Sequence, residues 1–193
     1  MSSRNNILNR VKQAQPSLIP LPADLPLEGE MGKLDQFKQI LESIGGRVVM
    51  LNKEDGLLHQ LREIFPSAAR VVSSIQSLEA FFLRDHQELS HHSLEDVDIA
   101  IIEAKFGVAE NGAIWVTEED INIRVLPFIA ENLVVILDHK DLVPTMHHAY
   151  QRIAYDAYGF GVFIAGPSKT ADIEQSLVLG AHGPKTMTIL VRG

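Results

Sequence analysis

The segment GVFIAGPSKTADIEQSLVLGAHGPK, residues 161–185, holds the densest set of groups able to do chemistry. Its apolar run stops at Gly166-Pro167, and the pattern predicts a helix from Ser168 that closes at Gly180. At such a helix start the amides of Ser168, Lys169 and Thr170 would lack intrahelical partners, and the macrodipole would favour negative charge. Their side chains would add donors, so this loop, with Gly166, is a candidate site for a carboxylate or phosphate. Asp172 and Glu174 would complement the dipole of the first turn or orient a substrate hydroxyl. The competing reading is a plain N-cap with a solvated lysine. His182 lies between Gly180 and Gly183-Pro184, where flanking glycines let its ring approach a ligand or a neighbouring backbone. Lys185 adds positive charge to the same stretch.

Glu110-Asn111-Gly112 separates two apolar runs, and Asn-Gly is a strong tight-turn pair. The turn places the Glu110 carboxylate on a constrained tip, making it the best candidate for a chemical role, with Asn111 and Gly112 shaping the turn; a solvated turn glutamate is the alternative. Glu103, at the end of the preceding run, is a second carboxylate or a rim charge. Asp138 and His139 close the run NLVVILD and are candidates to face the same cleft. The pairs His91-His92 and His147-His148 are adjacent, so on a helix their rings diverge by about 100°, and no metal site is expected. Ile114, Trp115 and Val116 read as core.

These groups need a frame. The pattern Ile7, Leu8, Val11 predicts a short amphipathic helix ended by Pro16, and four prolines from Pro16 to Pro26 predict an extended strap. Leu34, Phe37, Ile40, Leu41 and Ile44 recur at helical spacing before Gly45-Gly46. A buried strand at 47–51, a helix at 57–65, a strand at 69–75 and a helix at 77–83 follow. Then come the hairpin, a short helix from Ile123 to Ile129 broken near Pro127, a strand at 132–138 and a helix at 144–158 with Pro144 in its first turn. Strands at GVFIAG and TMTILVR complete the order. The fold class is therefore α/β, an open and mostly parallel sheet with one β-hairpin excursion at 109–117, and ligands are expected at strand carboxyl ends. Residues 1–30 are expected outside the core, with 31–193 as a single α/β domain.

Composition narrows the chemistry further. Of 193 residues, 46% are hydrophobic and 22% charged, ample for a core, while the formal charge of −8 disfavours nucleic acid and anionic lipid. With no cysteine, thiolate iron–sulfur ligation, zinc thiolate sites and cysteine nucleophiles are excluded for this chain. No apolar run nears the ~20 residues of a membrane span, and the N-terminal residues do not read as a secretory signal, so a cytoplasmic protein is expected.

GPSKTADIE followed by LVLGAHGP resembles the C-terminal signature of the lactate-utilisation (LUD) family, and within it the protein C branch; AENGAIWV at 109–116 resembles the family's acidic hairpin motif. The resemblance runs from about Leu34 to Val191 and implies a NagB/RpiA/CoA-transferase-like fold. Lys169 stands where arginine is usual, Asn111 where threonine is common and Thr188 where histidine is frequent; a lysine offers a point charge in place of a forked two-point grip. The resemblance further implies a subunit acting with iron–sulfur partner proteins in oxidising L-lactate to pyruvate, with no cofactor bound by this chain itself. It also leaves room for a homo-oligomer. The alternative is a stand-alone superfamily enzyme acting on a CoA thioester, sugar phosphate or similar anion, with Glu110 as the nucleophile, as in E-N-G contexts of some CoA transferases.

Overall fold

Runs such as Ile99–Glu103 and Asn132–Asp138 are apolar at successive positions, so both of their faces need cover. The computed structural model describes residues 3–17, 19, 33–51, 56–75, 78, 94–153, 158–170 and 178–193. In chain order the elements are α1 (Ser3–Gln13), α2 (Lys33–Ser43), β1 (Arg47–Met50), α3 (Gly56–Ile64), β2 (Val71–Ser73), β3 (Ile99–Glu103), β4 (Phe106–Val108), β5 (Ala113–Thr117), α4 (Glu118–Ile121), α5 (Leu126–Ile129), β6 (Asn132–Asp138), β7 (Leu142–Val143), α6 (Met146–Ile153), β8 (Gly161–Ala165) and β9 (Thr186–Arg192).

Five strands in the order β1-β9-β6-β3-β2 form a parallel sheet, sheet A. Its two faces are distinct. Ile99, Ile101, Val134, Ile136 and Leu190 pack with Leu61 of α3. Ala100, Ile102, Leu133, Val135, Leu137, Ile189 and Val191 pack with Phe37 and Leu41 of α2 and with Ile114, Val116 and Ile164 of a second sheet. That second sheet, sheet B, has the order β7-β4-β5-β8. Its other face, with Phe106, Val108, Ala113 and Trp115, is covered by Ala149 and Ile153 of α6. The layers run α3, sheet A, sheet B, α6. Close stacking of the two sheets sets Gly107, since a Cβ there would stand 2.9 Å from both Leu137 and Leu142.

The expected α/β class and the mostly parallel sheet are present. The antiparallel part exceeds the expected hairpin: β8 pairs antiparallel with β5 and belongs to sheet B, so GVFIAG does not join the parallel sheet. Strand β1 is not buried throughout; as an edge strand it leaves Met50 51% exposed. Pro127 lies in the first turn of α5, where a missing N–H costs nothing, and starts that helix instead of breaking it. Pro144 precedes α6 rather than sitting in its first turn. Helix α1 buries no residue. The proline-rich strap, the helix expected at 77–83, His91-His92, and Asp172 and Glu174 fall outside the described residues or largely so.

Gly112 offers a test of this packing. Its φ is +69°, and a Cβ there would meet the backbone of Leu41 at 3.0 Å; Gly56 has φ +70° with nothing within 4 Å. Gly56→Ala is expected to cost about 1 kcal/mol of backbone strain, and Gly112→Ala about 1–3 kcal/mol more because α2 must move. Urea unfolding of the two variants measures the difference, and equal losses would show that α2 does not press on this turn.

Candidate functional site

The register of β5 on β8 pairs Ala113 with Ala165, which brings the 109–112 turn and the Gly166-Pro167 loop to one end of sheet B. There both meet the carboxyl end of α2. A Cβ on Gly112 would lie 3.0 Å from Leu41 Cα, and one on Gly166 would lie 3.1 Å from Ile44 Cγ1. Glu110 and Ser168 thus share an end of sheet B, and both motifs abut one helix end. Gly45 follows that helix, and a Cβ on it would be 3.2 Å from Lys169 Nζ. The Lys169 ammonium therefore stands beside the negative end of the α2 dipole, a position that favours a cation.

No helix starts at Ser168. Lys169 instead forms an antiparallel bridge with Leu179. Two of the three amides expected to await an anion are already engaged, Ser168 N donating to Pro184 O at 2.9 Å and Thr170 N to Val178 O at 3.2 Å. Ser168 O accepts from Gly180 N at 3.1 Å, and Ser168 Oγ accepts from His182 N at 3.4 Å. His182 is exposed, and it contributes to the loop through its backbone. The long-range partners of 168–170 explain why these three residues are not helical, because bonds to residues 178–184 satisfy the groups that a helix start would have used. Lys185 does not reach this end as a free charge. It pairs with Glu131 at 3.0 Å in a groove of about 330 Å³ lined also by Glu95, Asp96 and Asp98.

Glu110 is exposed, and its Oε2 accepts a hydrogen bond from Met146 N at 2.7 Å. The carboxylate thereby takes one of the amides left open at the start of α6 and places negative charge at that helix's positive end. Asn111 Oδ1 accepts from Ala113 N at 3.0 Å and closes the turn. His148 of the expected histidine pair is held by Thr145 Oγ1 at 2.9 Å. Among the described residues no group of three or more His, Asp or Glu is placed to hold a metal ion.

Asp138 belongs to a different place. Strands β6 and β9 are parallel and in register from Asn132↔Thr186 to Asp138↔Arg192, so Asp138 lies at the opposite end of sheet A from the 180–185 loop, about 20 Å away at ~3.3 Å per residue. It does not share a cleft with His182 or Ser168. Its carboxylate caps Lys140 N at 2.9 Å, and that bond holds its pKa below the ordinary value against a smaller opposing effect of burial. Beside it Arg192 pairs with Glu103 at 2.7 Å and Arg192 O meets His139 Nδ1 at 3.1 Å. The local sequence pattern does not single out Arg192. Its signal is a basic residue ending TMTILVR, a strand whose carboxyl end faces the loop side of a parallel sheet.

The cap predicts a graded response. Glu110→Ala leaves the Met146 amide without its acceptor and is expected to lower stability by about 0.5–2 kcal/mol, whereas Glu110→Gln keeps an oxygen there and loses less. Chemical denaturation checks the order, and identical stability of the Ala variant and the parent would contradict the cap.

Comparison with known proteins places this arrangement. The LUD domain family matches residues 76–191, a span that includes both motifs and all of sheet B. A protein from Oceanobacillus iheyensis named lactate utilization protein C is 31% identical over 104 residues, 50% of this chain and 44% of that protein. A protein of the same name from Bacillus pumilus is 31% identical over 96 residues, 47% of this chain and 40% of that one. The chain thus spans about half the length of these curated relatives. An uncharacterized protein of Neisseria meningitidis is 24% identical over 217 residues, 98% of this chain and 93% of its own. The crystal structure of a DUF162 family protein from Deinococcus radiodurans superposes with a TM-score of 0.65 at 19% identity, covering 83% of this chain and 96% of that one, and shares the fold. On the match across residues 76–191, this chain belongs to the LUD domain family.

Proposed function

We propose that this chain serves lactate utilisation in the cytoplasm, as a subunit without redox centres beside iron–sulfur proteins that oxidise L-lactate to pyruvate. The observation that carries this reading is the LUD match, together with relatives named lactate utilization protein C, in a sequence without a single cysteine. Electron transfer through thiolate-held clusters then falls to partners. This chain contributes binding and positioning. Lys169, exposed and next to the α2 carboxyl end, is the cation offered to a small carboxylate, with the Asn111 amide at the neighbouring turn. The alternative, acyl transfer to Glu110, is disfavoured by the bond that ties the Glu110 carboxylate to Met146 N at 2.7 Å.

The test is a lactate oxidation assay with the chain purified alone, and with the cysteine-rich proteins that co-purify with it from cells grown on lactate. Turnover is expected only in the combined sample. There Lys169→Ala should raise KM for lactate about tenfold or more, the loss of one charge-assisted hydrogen bond, while Glu110→Gln leaves kcat within about twofold. If no such proteins co-purify, or the chain alone transfers acyl groups from a CoA thioester and Glu110→Gln abolishes the transfer, the proposal fails.

A further inference from the structure

The sheet edges among the described residues are unequal. Strand β7 has two residues and β2 three, both too short to template another strand, and β1 opens with Arg47. Strand β8 is different. Gly161-Val162-Phe163-Ile164-Ala165 has no charge and no proline, and it forms one edge of sheet B. Among the described residues none of the devices that normally guard an edge is present at it.

The hydrogen-bond pattern fixes which groups point outward. Lys105 N donates to Trp115 O, so Trp115 presents its backbone to β4; Glu118 N donates to Phe160 O, so the even-numbered residues of β5 face β8. Ile114↔Ile164 and Val116↔Val162 are thus the bonded pairs, and the N–H and C=O groups of Gly161, Phe163 and Ala165 point away from β5. The side chain of Phe163 packs on the α6 face, 4.5 Å from Trp115 and 5.9 Å from Tyr150 between ring centroids. Tyr150 is 59% and Tyr158 42% exposed beside it.

We propose that two copies of this chain pair antiparallel through β8 about a two-fold axis at Phe163, joining their B sheets into one. The occupant is a second copy because the outward pattern is self-complementary. With Phe163 opposite Phe163 of the second copy and Gly161 opposite its Ala165, every outward donor and acceptor of the strand meets one of the opposite kind. A five-residue strand pair alone falls short of the roughly 800 Å² per partner of a stable interface. Tyr150 and Tyr158, 59% and 42% exposed, and the partly exposed Phe163 flank the axis and add apolar area to the strand pair, the scale of a weak dimer. This inference stands apart from the lactate reading, since it uses no ligand.

Sedimentation equilibrium of the full chain tests it, with hydrogen exchange of the same sample. The parent should show a two-chain mass at about 10–100 µM, and the amides of Gly161, Phe163 and Ala165 should be as protected as those of Val162 and Ile164. Ala165→Pro removes only an outward N–H and Ala165→Lys adds an edge charge; each should weaken pairing at least about tenfold. Either variant suffices if the other fails to fold. In the one-chain form only the even-numbered amides should stay protected. A one-chain mass for the parent throughout that range, or a dimer of unchanged affinity in a folded variant, overturns the proposal.

Discussion

The carboxyl end of α2 is the constraint on which the candidate site depends. Phe37 and Leu41 are fully buried between the two sheets, so the helix cannot shift without opening the main core. Its last turn then serves as a fixed wall. Gly112 lies on Leu41, Gly166 on Ile44, and Lys169 reaches over Gly45. Two motifs more than fifty residues apart in the chain, brought to one end of sheet B by the pairing of β5 with β8, thereby rest on a single helix end. Their glycines are explained by that closeness before any ligand is invoked.

Much of this frame is legible in the residues. The α2 stripe, the Asn-Gly turn and the apolar runs of β3, β6 and β9 report elements that satisfy their own local rules. What is not legible is partnership. GVFIAG reads as a buried strand in either sheet, and only the register against β5 decides that it lies in sheet B. The run from Ser168 has good helix-start chemistry, yet bonds from residues 178–184 occupy its backbone, and such distant partners leave no trace in local pattern. Asp138 and His182 both end or flank apolar runs, and their separation to opposite ends of sheet A follows from strand direction, which spacing alone does not report.

The charges sort in the same way. At the carboxyl edge of sheet A, Glu103 and Arg192 neutralise each other, and Asp138 is spent on Lys140 N. At the amino edge Lys185 answers Glu131. Lys169 lies at the end of sheet B, near the 109–112 turn, where α2 gives its ammonium a reason to stay.

The central claim is that one helix end supports both motifs, and a double-mutant cycle between Gly112→Ala and Gly166→Ala tests it most directly. Each methyl pushes on α2, so once one has displaced the helix the second should cost less. The two changes together should fall short of the sum of the single losses by more than about 0.5 kcal/mol in urea unfolding. Strict additivity, within about 0.3 kcal/mol, would mean that the turn and the loop rest on independent supports, and would contradict the account.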